Sequence, residues 1–189
     1  MRKKLLAFAL FITTILLSIL IVISPSFAGK SLSYVELEQE LKLDSVLNGK
    51  EDIELIFFGY AGCLNVCTPR LYDIKQWYET LSRKDQERIT LKFFDLSTPE
   101  DPQTPDIFVK GFHPNFKGIY LDENIIRDYT KVFTVYFAKS LVDEDEIDHS
   151  THLYITKRSN GTKVLRAIYT TYPYDFDYLT EKIKGLINE

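Results

Sequence analysis

The chain opens with an unbroken apolar run, Leu5–Ile23, which follows three basic residues at positions 2–4. A basic head followed by an apolar run is typical of an export or insertion signal. As a helix, the 19 residues of this run would span about 28 Å, close to the roughly 30 Å hydrocarbon core of a bilayer. Ser26-Phe27-Ala28 has the small-x-small pattern of a cleavage site. Residues 1–28 are therefore predicted to be either a membrane anchor or a cleaved signal peptide.

Both alternatives place the rest of the chain on the outer side of a membrane, because the basic end stays in the cytoplasm. We expect a periplasmic protein, anchored to the inner membrane by residues 5–23. Residues 29–52 are predicted to form a polar connector, in which Tyr34–Leu43 carries leucines near helical spacing. The globular domain is expected over residues 53–189.

Beyond the connector, the apolar positions alternate between strand and helix periods. The apolar runs Ile53–Gly59 and Ile89–Leu96 fit buried strands, and Pro69–Leu81 between them has apolar side chains at helical spacing. The later predicted elements are short helices at Asp106–Phe112 and Glu123–Val132, an extended piece at Phe116–Leu121, a hairpin with Asn160-Gly161 at its turn, and a final helix at Asp175–Ile187. A βαβ unit followed by a ββα unit is the plan of a thioredoxin-like α/β fold.

The net charge of the chain indicates which classes of partner are unsuited to it. The whole chain has a net charge of −4. Removing residues 1–28 removes three basic and no acidic groups, which leaves 20 Lys and Arg against 27 Asp and Glu and a net charge of −7. A nucleic-acid partner would require a basic face, so we expect no nucleic acid among the partners.

The two cysteines, Cys63 and Cys67, follow the first predicted strand and precede a predicted helix. Sheets of α/β proteins bind ligands at this edge, where the parallel strands have their carboxyl ends. At the start of a helix the two sulfurs would lie one turn apart on the same face, and the helix N-terminus favours thiolate. A thiolate is both a nucleophile and a soft ligand that selects Cu(I). The pair therefore predicts redox or metal chemistry.

Several interpretations of this pair stay open. A structural disulfide would close a short loop and stabilise the fold little. A redox dithiol usually has two intervening residues, whereas three separate these cysteines. Structural zinc requires four protein ligands, and only two cysteines and one or two histidines are on offer. A peroxide-reducing thiol would be expected to have Thr or Ser three residues earlier, but those positions hold Tyr60 and Leu64.

Three histidines are candidates for a further ligand. His113 lies in a predicted turn. His149 directly precedes a predicted strand, on which His152 would point away from the face that His149 uses. In a thioredoxin-like fold that strand entry faces the cysteine loop, and oxidoreductases of this fold place a cis-proline there. Residues 115–172 contain no proline, which favours metal binding over disulfide exchange. Asp148 is a candidate for orienting the imidazole.

Four segments of the chain form a set that is specific when taken together. They are Phe57-Phe58-Gly59-Tyr60-x-x-Cys63-x-x-Val66-Cys67, Asp148-His149-Ser150-x-x-x-Tyr154-Ile155, Val109-Lys110-x-Phe112-His113-Pro114-x-Phe116-x-Gly118, and the loop from Pro99 to Pro105. This set resembles the signature of the Sco/SenC family of copper chaperones, from about residue 53 to the C-terminus. Leu64, Asn65 and Thr68 stand where the family usually has Pro, Asp and Pro, and the family's early strand hairpin is lacking. The chain therefore resembles a divergent member.

The resemblance implies a membrane-anchored, thioredoxin-like protein that binds copper through Cys63, Cys67 and His149. It implies a metallochaperone that assists assembly of the copper-A centre of cytochrome c oxidase. The implied partners are the copper-receiving subunit of a respiratory oxidase and a thiol reductant. The alternative is an exported thiol–disulfide oxidoreductase without stable copper binding, in which Cys63 and Cys67 are the redox-active pair. Only in that case would the chain be an enzyme.

Overall fold

A computed structural model of the protein describes residues 11–15, 34–42, 51–143 and 146–189. Residues 11–15 are helical and belong to one unit, Met1–Ser33, while Tyr34–Glu189 form a second compact unit. Within the described ranges, no helix combines the length and the apolar character that crossing a bilayer requires. Most of the predicted anchor, residues 5–23, and the predicted cleavage site lie outside the described residues.

The second unit is a mixed α/β domain. Its described elements, in chain order, are β1 (Tyr34–Leu41), β2 (Ile53–Gly59), α1 (Cys67–Thr80), α2 (Arg83–Gln86), β3 (Ile89–Asp95), α3 (Thr104–Lys110), β4 (Lys117–Ile119), α4 (Glu123–Val132), β5 (Phe137–Lys139), β6 (Ile147–His149), β7 (Leu153–Ser159), β8 (Thr162–Tyr169) and α5 (Phe176–Asn188). Six strands form one sheet in the order β1-β8-β7-β2-β3-β4, and β5 and β6 form a separate two-stranded ribbon. Strands β2, β3 and β4 are parallel, whereas β7, β8 and β1 follow antiparallel to their neighbours.

The predicted βαβ and ββα units are both present. The first is β2-α1-β3, and the second is β7-β8-α5. Asn160 and Gly161 join β7 to β8 with φ angles of 50° and 84°, which is the left-handed backbone that a type I′ hairpin turn requires. The prediction of a thioredoxin-like α/β domain is therefore confirmed.

Strands β2 and β3 are buried along their whole length, because both faces of the sheet are covered. Side chains alternate along β2, so that Phe57 packs in a core shared with α1 and α5, while Phe58 packs in a core shared with α4. The first of these cores also contains Cys63 and Cys67. The two cysteine side chains are therefore part of the core, although Leu64 between them is exposed.

The predicted helical pattern over Tyr34–Leu43 is wrong. Tyr34–Leu41 is strand β1, which pairs antiparallel with β8 at the edge of the sheet. Leu41 is buried and Leu37 packs against the same core. Residues four apart share a face in a strand as well as in a helix, so the leucine spacing did not distinguish the two. A register shift between Glu36 and Gln39 further obscures the strand period.

Candidate metal centre

The cysteine loop begins at the end of β2 with a tight turn. The N–H of Cys63 donates to the carbonyl of Tyr60 at 3.2 Å, and Gly62 has a φ of 92°. A positive φ at the third of four residues defines a type II turn, which glycine adopts without strain. The N–H of Leu96 donates to the carbonyl of Gly59 at 2.7 Å, so the turn is fixed to the end of β3.

Thr68 anchors the other end of the loop at the start of α1. Its N–H and its hydroxyl both donate to the carbonyl of Cys63, at 3.1 and 3.0 Å. The Sco/SenC pattern has proline at this position, and proline has no N–H to donate. This departure from the family pattern therefore adds two hydrogen bonds that hold the backbone of the first cysteine.

The structure brings together Cys63, Cys67 and His149. One ligand atom from each lies within 4.8 Å of the other two, and Cys67 Sγ is 3.6 Å from His149 Nε2. Both cysteines are free thiols. In the described part of the chain, no other group of three or more Cys, His, Asp or Glu side chains converges in this way. Their role as metal ligands stays a prediction that this geometry supports.

The tautomer of His149 suits a metal ligand. Its Nδ1 lies 3.0 Å from the carbonyl oxygen of Ser150. Because a carbonyl only accepts, the neutral ring carries its proton on Nδ1 and leaves the Nε2 lone pair facing Cys67. The interpretation that Asp148 orients the imidazole is wrong, because the Ser150 carbonyl holds Nδ1 and Asp148 is exposed opposite Ala138 on the β5–β6 ribbon.

The two thiols differ in acidity. A hydrogen bond from the Cys67 thiol lowers the pKa of Cys63, and the backbone N–H groups of Cys67 and Val66 add to this effect, while burial opposes it. The N–H of Cys67 lies 3.3 Å from Cys63 Sγ. The same hydrogen bond to Cys63, together with burial, raises the pKa of Cys67. Both directions favour the state in which Cys63 is the thiolate and Cys67 keeps its proton.

Tyr60 lies beside both Cys63 and His149. Its ring meets the imidazole of His149 edge-on, with 6.1 Å between centroids and an interplanar angle of 86°. Burial and then the hydrogen bond to Cys63 raise the pKa of Tyr60, so its hydroxyl stays protonated and donates toward the Cys63 sulfur. In the sequence analysis Tyr60 was named only as part of a motif, and this contact was not predicted.

An open cleft of about 290 Å³ lies beside the centre. It is lined by Tyr60, Cys63, Asn65, Val66, Tyr136, Glu146, Ile147, Asp148, His149, Ser150 and Thr151. Cys63 lines this cleft, whereas Cys67 is fully buried. A nucleophile or an incoming ligand in the cleft therefore meets Cys63 before Cys67.

The other two histidines lie outside the group. His113 packs edge-on against Tyr78, and its Nδ1 accepts from the N–H of Asn115 at 3.1 Å. His152 Nδ1 lies 3.4 Å from the hydroxyl of Tyr154. Burial lowers the pKa of both histidines, as expected for neutral rings that pack against aromatic side chains.

Asp95 is a residue that the sequence analysis missed. It ends β3, is fully buried, and accepts a hydrogen bond from the N–H of Ala61 in the cysteine loop at 2.9 Å. A signal for it was present, because a carboxylate that ends an apolar strand lies at the ligand-binding edge of the sheet.

The family model that matches this chain is described as SCO1/SenC, and it covers residues 39–188. The chain belongs to the SCO1/SenC family. The family resemblance in the sequence is therefore confirmed, and the matched range includes both cysteines, His149 and most of the six-stranded sheet.

Individual members of the family are distant in sequence. A SCO2-like protein of Rickettsia conorii is 30% identical over 125 residues, which cover 64% of this chain and 60% of that protein. Apo Sco1 from Thermus thermophilus has a TM-score of 0.66 and 25% identity, covering 84% of this chain and 99% of that one. Yeast Sco1 with copper bound has a TM-score of 0.56 and 24% identity, covering 71% and 76%. The alignment thus spans less than two thirds of the Rickettsia relative's length.

Proposed function

We propose that this chain binds one copper ion through Cys63, Cys67 and His149 and delivers it to the copper-A centre of cytochrome c oxidase. The observation that carries the proposal is the convergence of two sulfurs and one imidazole nitrogen within 4.8 Å. Membership of the SCO1/SenC family and the likeness to a copper-bound yeast Sco1 support copper as the ion.

The donor set fits copper better than the other common metals. Soft sulfur ligands select Cu(I), and imidazole suits copper in either oxidation state. Structural zinc takes four protein ligands, and the described residues offer three at this point. Copper is the cargo, and the protein would supply a thiolate at Cys63, a free Nε2 at His149 and a second sulfur at Cys67, whose proton would pass to solvent when the ion binds.

Release to an acceptor reverses these steps. Ligands of the acceptor enter the cleft beside Cys63 and replace the protein's ligands one at a time. Cys67, which is buried in the core, takes a proton from solvent when the ion leaves. Because two free thiols in an oxidising compartment tend to form a disulfide, the proposal includes a thiol reductant and an exported domain behind an N-terminal membrane segment.

Copper titration of the reduced full-length chain tests the proposal. We expect one copper per chain, and we expect His149→Ala to weaken Cu(I) binding at least tenfold, since even outer-shell partners of a ligand are worth about 10–100-fold. His152→Ala is the matched control and should leave the affinity unchanged. Absence of copper binding, or full affinity in the His149→Ala chain, would contradict the three-ligand site.

A second function is favoured by one observation. Cys63 has a lowered pKa and lines an open cleft, which is the environment of a nucleophilic thiolate. As an oxidoreductase, Cys63 would attack a partner's disulfide to form a mixed disulfide, and Cys67 would resolve it, reducing the partner and oxidising the pair. Reduction of a test disulfide at equal rates with and without His149 would favour this function.

A further inference from the structure

Asp95 contacts the cysteine loop but none of the three ligand atoms. Its Oδ2 accepts from the N–H of Ala61 at 2.9 Å. Its Oδ1 accepts from the N–H of Ser97 at 2.8 Å and from the Ser97 hydroxyl at 2.5 Å. The side chain has no exposed surface. The carboxylate therefore bridges the end of β3 and the turn that precedes Cys63.

A buried carboxylate is costly unless donors or cations surround it. In the described part of the chain, no Lys, Arg or His side chain forms an ion pair with Asp95. Its charge is satisfied by the three donors above, and one of them belongs to the loop. Moving Ala61 away would leave Oδ2 unsatisfied, so the carboxylate holds the turn in place.

The hydrogen bond between Asp95 and Ala61 also constrains Cys63, because both Ala61 and Cys63 belong to the same turn. The Tyr60–Cys63 turn is closed by its own hydrogen bond, and Leu96 holds the carbonyl of Gly59 just before it. The end of β3 thus fixes the segment at two points, Gly59 and Ala61. With the turn rigid, Ala61 fixes the side of Cys63 that faces β3, while Thr68 fixes the side that faces α1.

We propose that Asp95 is a positioning residue that sets Cys63 at the distance from Cys67 and His149 needed to share one ion. The inference rests on the proposed copper function. It also specifies why the residue is an acid: both carboxylate oxygens accept from N–H groups, and an asparagine of the same shape would turn its NH₂ group against one of these donors.

Two variants remove the bond from its two ends. Asp95→Asn removes an acceptor without changing the size of the side chain. Ala61→Pro removes the donor, and proline is favoured at the second position of a type II turn, so the turn itself is retained. Asp101→Asn is the matched control, because Asp101 Oδ1 also accepts a backbone N–H, from Gln103 at 2.9 Å, but in an exposed loop away from the cysteines.

Cu(I) affinity is measured for each full-length chain by competition with a chromogenic chelator, beside its melting temperature. We expect Asp95→Asn and Ala61→Pro each to weaken binding about 10–100-fold, the range for groups that orient a ligand. The double variant should lose little more than either single one, because both remove the same bond. Ile126→Val, in the opposite core, is a control for a loss of stability alone. We expect this substitution to leave the Cu(I) affinity unchanged.

A second readout does not depend on copper. In the metal-free chain, the alkylation rate of Cys63 should change in both test variants and stay unchanged in the Asp101→Asn chain. Copper affinity within twofold of the original in both test variants would overturn the inference, as would equal losses in the control. If the unaltered chain binds no copper, the proposed function fails, while the alkylation rates still decide whether Asp95 positions Cys63.

Discussion

At the scale of single residues, Gly59 shows how closely β2 approaches the buried sulfur. A Cβ atom at this position would lie 2.6 Å from Cys67 Sγ and 2.9 Å from the ring of Phe93. We predict that Gly59→Ala displaces the sulfur, destabilises the fold by about 1–3 kcal/mol as overpacking does, and lowers copper affinity. Urea unfolding and copper titration of the same chain measure both effects.

Gly185 provides the matched control for this substitution. A Cβ there meets nothing within 4 Å, and the residue lies inside helix α5. Gly185→Ala should leave copper binding unchanged and raise the free energy of unfolding by about 0.4–1 kcal/mol, because it restricts the unfolded chain. An equal destabilisation by both substitutions would argue against the close approach at Gly59.

The reactivity of Cys63 should depend little on pH. An ordinary thiol has a pKa near 8.5, so its alkylation rate falls about tenfold for each pH unit below that value. The pKa of Cys63 is lowered chiefly by the hydrogen bond from the Cys67 thiol, so the reactive thiolate remains as pH falls from 8 to 6, and the rate should stay nearly flat. Alkylation of the reduced, metal-free chain followed by mass spectrometry measures this, with the urea-unfolded chain as reference.

The sequence was sufficient to single out the three side chains that the structure brings together, but not the groups that hold them in place. Cys63, Cys67 and His149 are recognisable because their side-chain types are rare and chemically specific. Ser150 acts through a backbone carbonyl, which every residue has, and Asp95 acts by accepting backbone N–H groups. Such hydrogen bonds depend on folded geometry and leave no distinct residue pattern in the chain.

At the scale of elements, strand β1 belongs to the sheet, although the sequence predicted this segment to be a connector. Leu41 is buried against the same core as Phe58, whereas Val35 on this strand is exposed. We predict that Leu41→Ala destabilises the domain by about 2–5 kcal/mol. Val35→Ala should cost within about 0.5 kcal/mol, as substitutions at exposed positions usually do. Thermal and urea unfolding decide this, and equal effects would place Leu41 outside the core.

The elements that were predicted correctly have strong local signals. Strands β2 and β3 are continuous apolar runs, and the β7–β8 hairpin has Asn160-Gly161 at its turn. Strand β6 was not among the predicted elements, because Ile147–His149 is too short to show a period and, among the described strands, pairs with β5 alone. The pairing of such a short strand depends on which strand lies beside it in the folded domain, and the local sequence does not indicate that neighbour.

At the scale of the whole molecule, a buried ion cluster joins three strands near the start of β2, while the cysteine loop follows its end. Glu54 Oε1 lies 3.0 Å from Lys92 Nζ and 2.9 Å from Lys163 Nζ, and all three side chains are buried. Burial lowers the pKa of Lys163 even though Glu54 opposes this effect. The carboxylate therefore offsets the cost of two buried ammonium groups from β3 and β8.

Removing that carboxylate should be costly. We predict that Glu54→Gln destabilises the domain by about 3–5 kcal/mol, because breaking a buried pair leaves charges without their counter-ion. Glu87→Gln is the control, since Glu87 and Arg83 form an exposed pair at 3.8 Å that should be worth under about 1 kcal/mol. Urea midpoints give both values, and a loss below about 1 kcal/mol in Glu54→Gln would show that the cluster is not a stabilising element.

The placement of the two sulfurs has a consequence for the proposed delivery of copper. In the part of the chain that the structure describes, Cys63 faces the cleft and Cys67 has no exposed surface. Under the proposed copper function, a protein that supplies copper and a protein that receives it would have to use the same opening, one after the other. We therefore expect an excess of the supplying protein to slow delivery instead of speeding it.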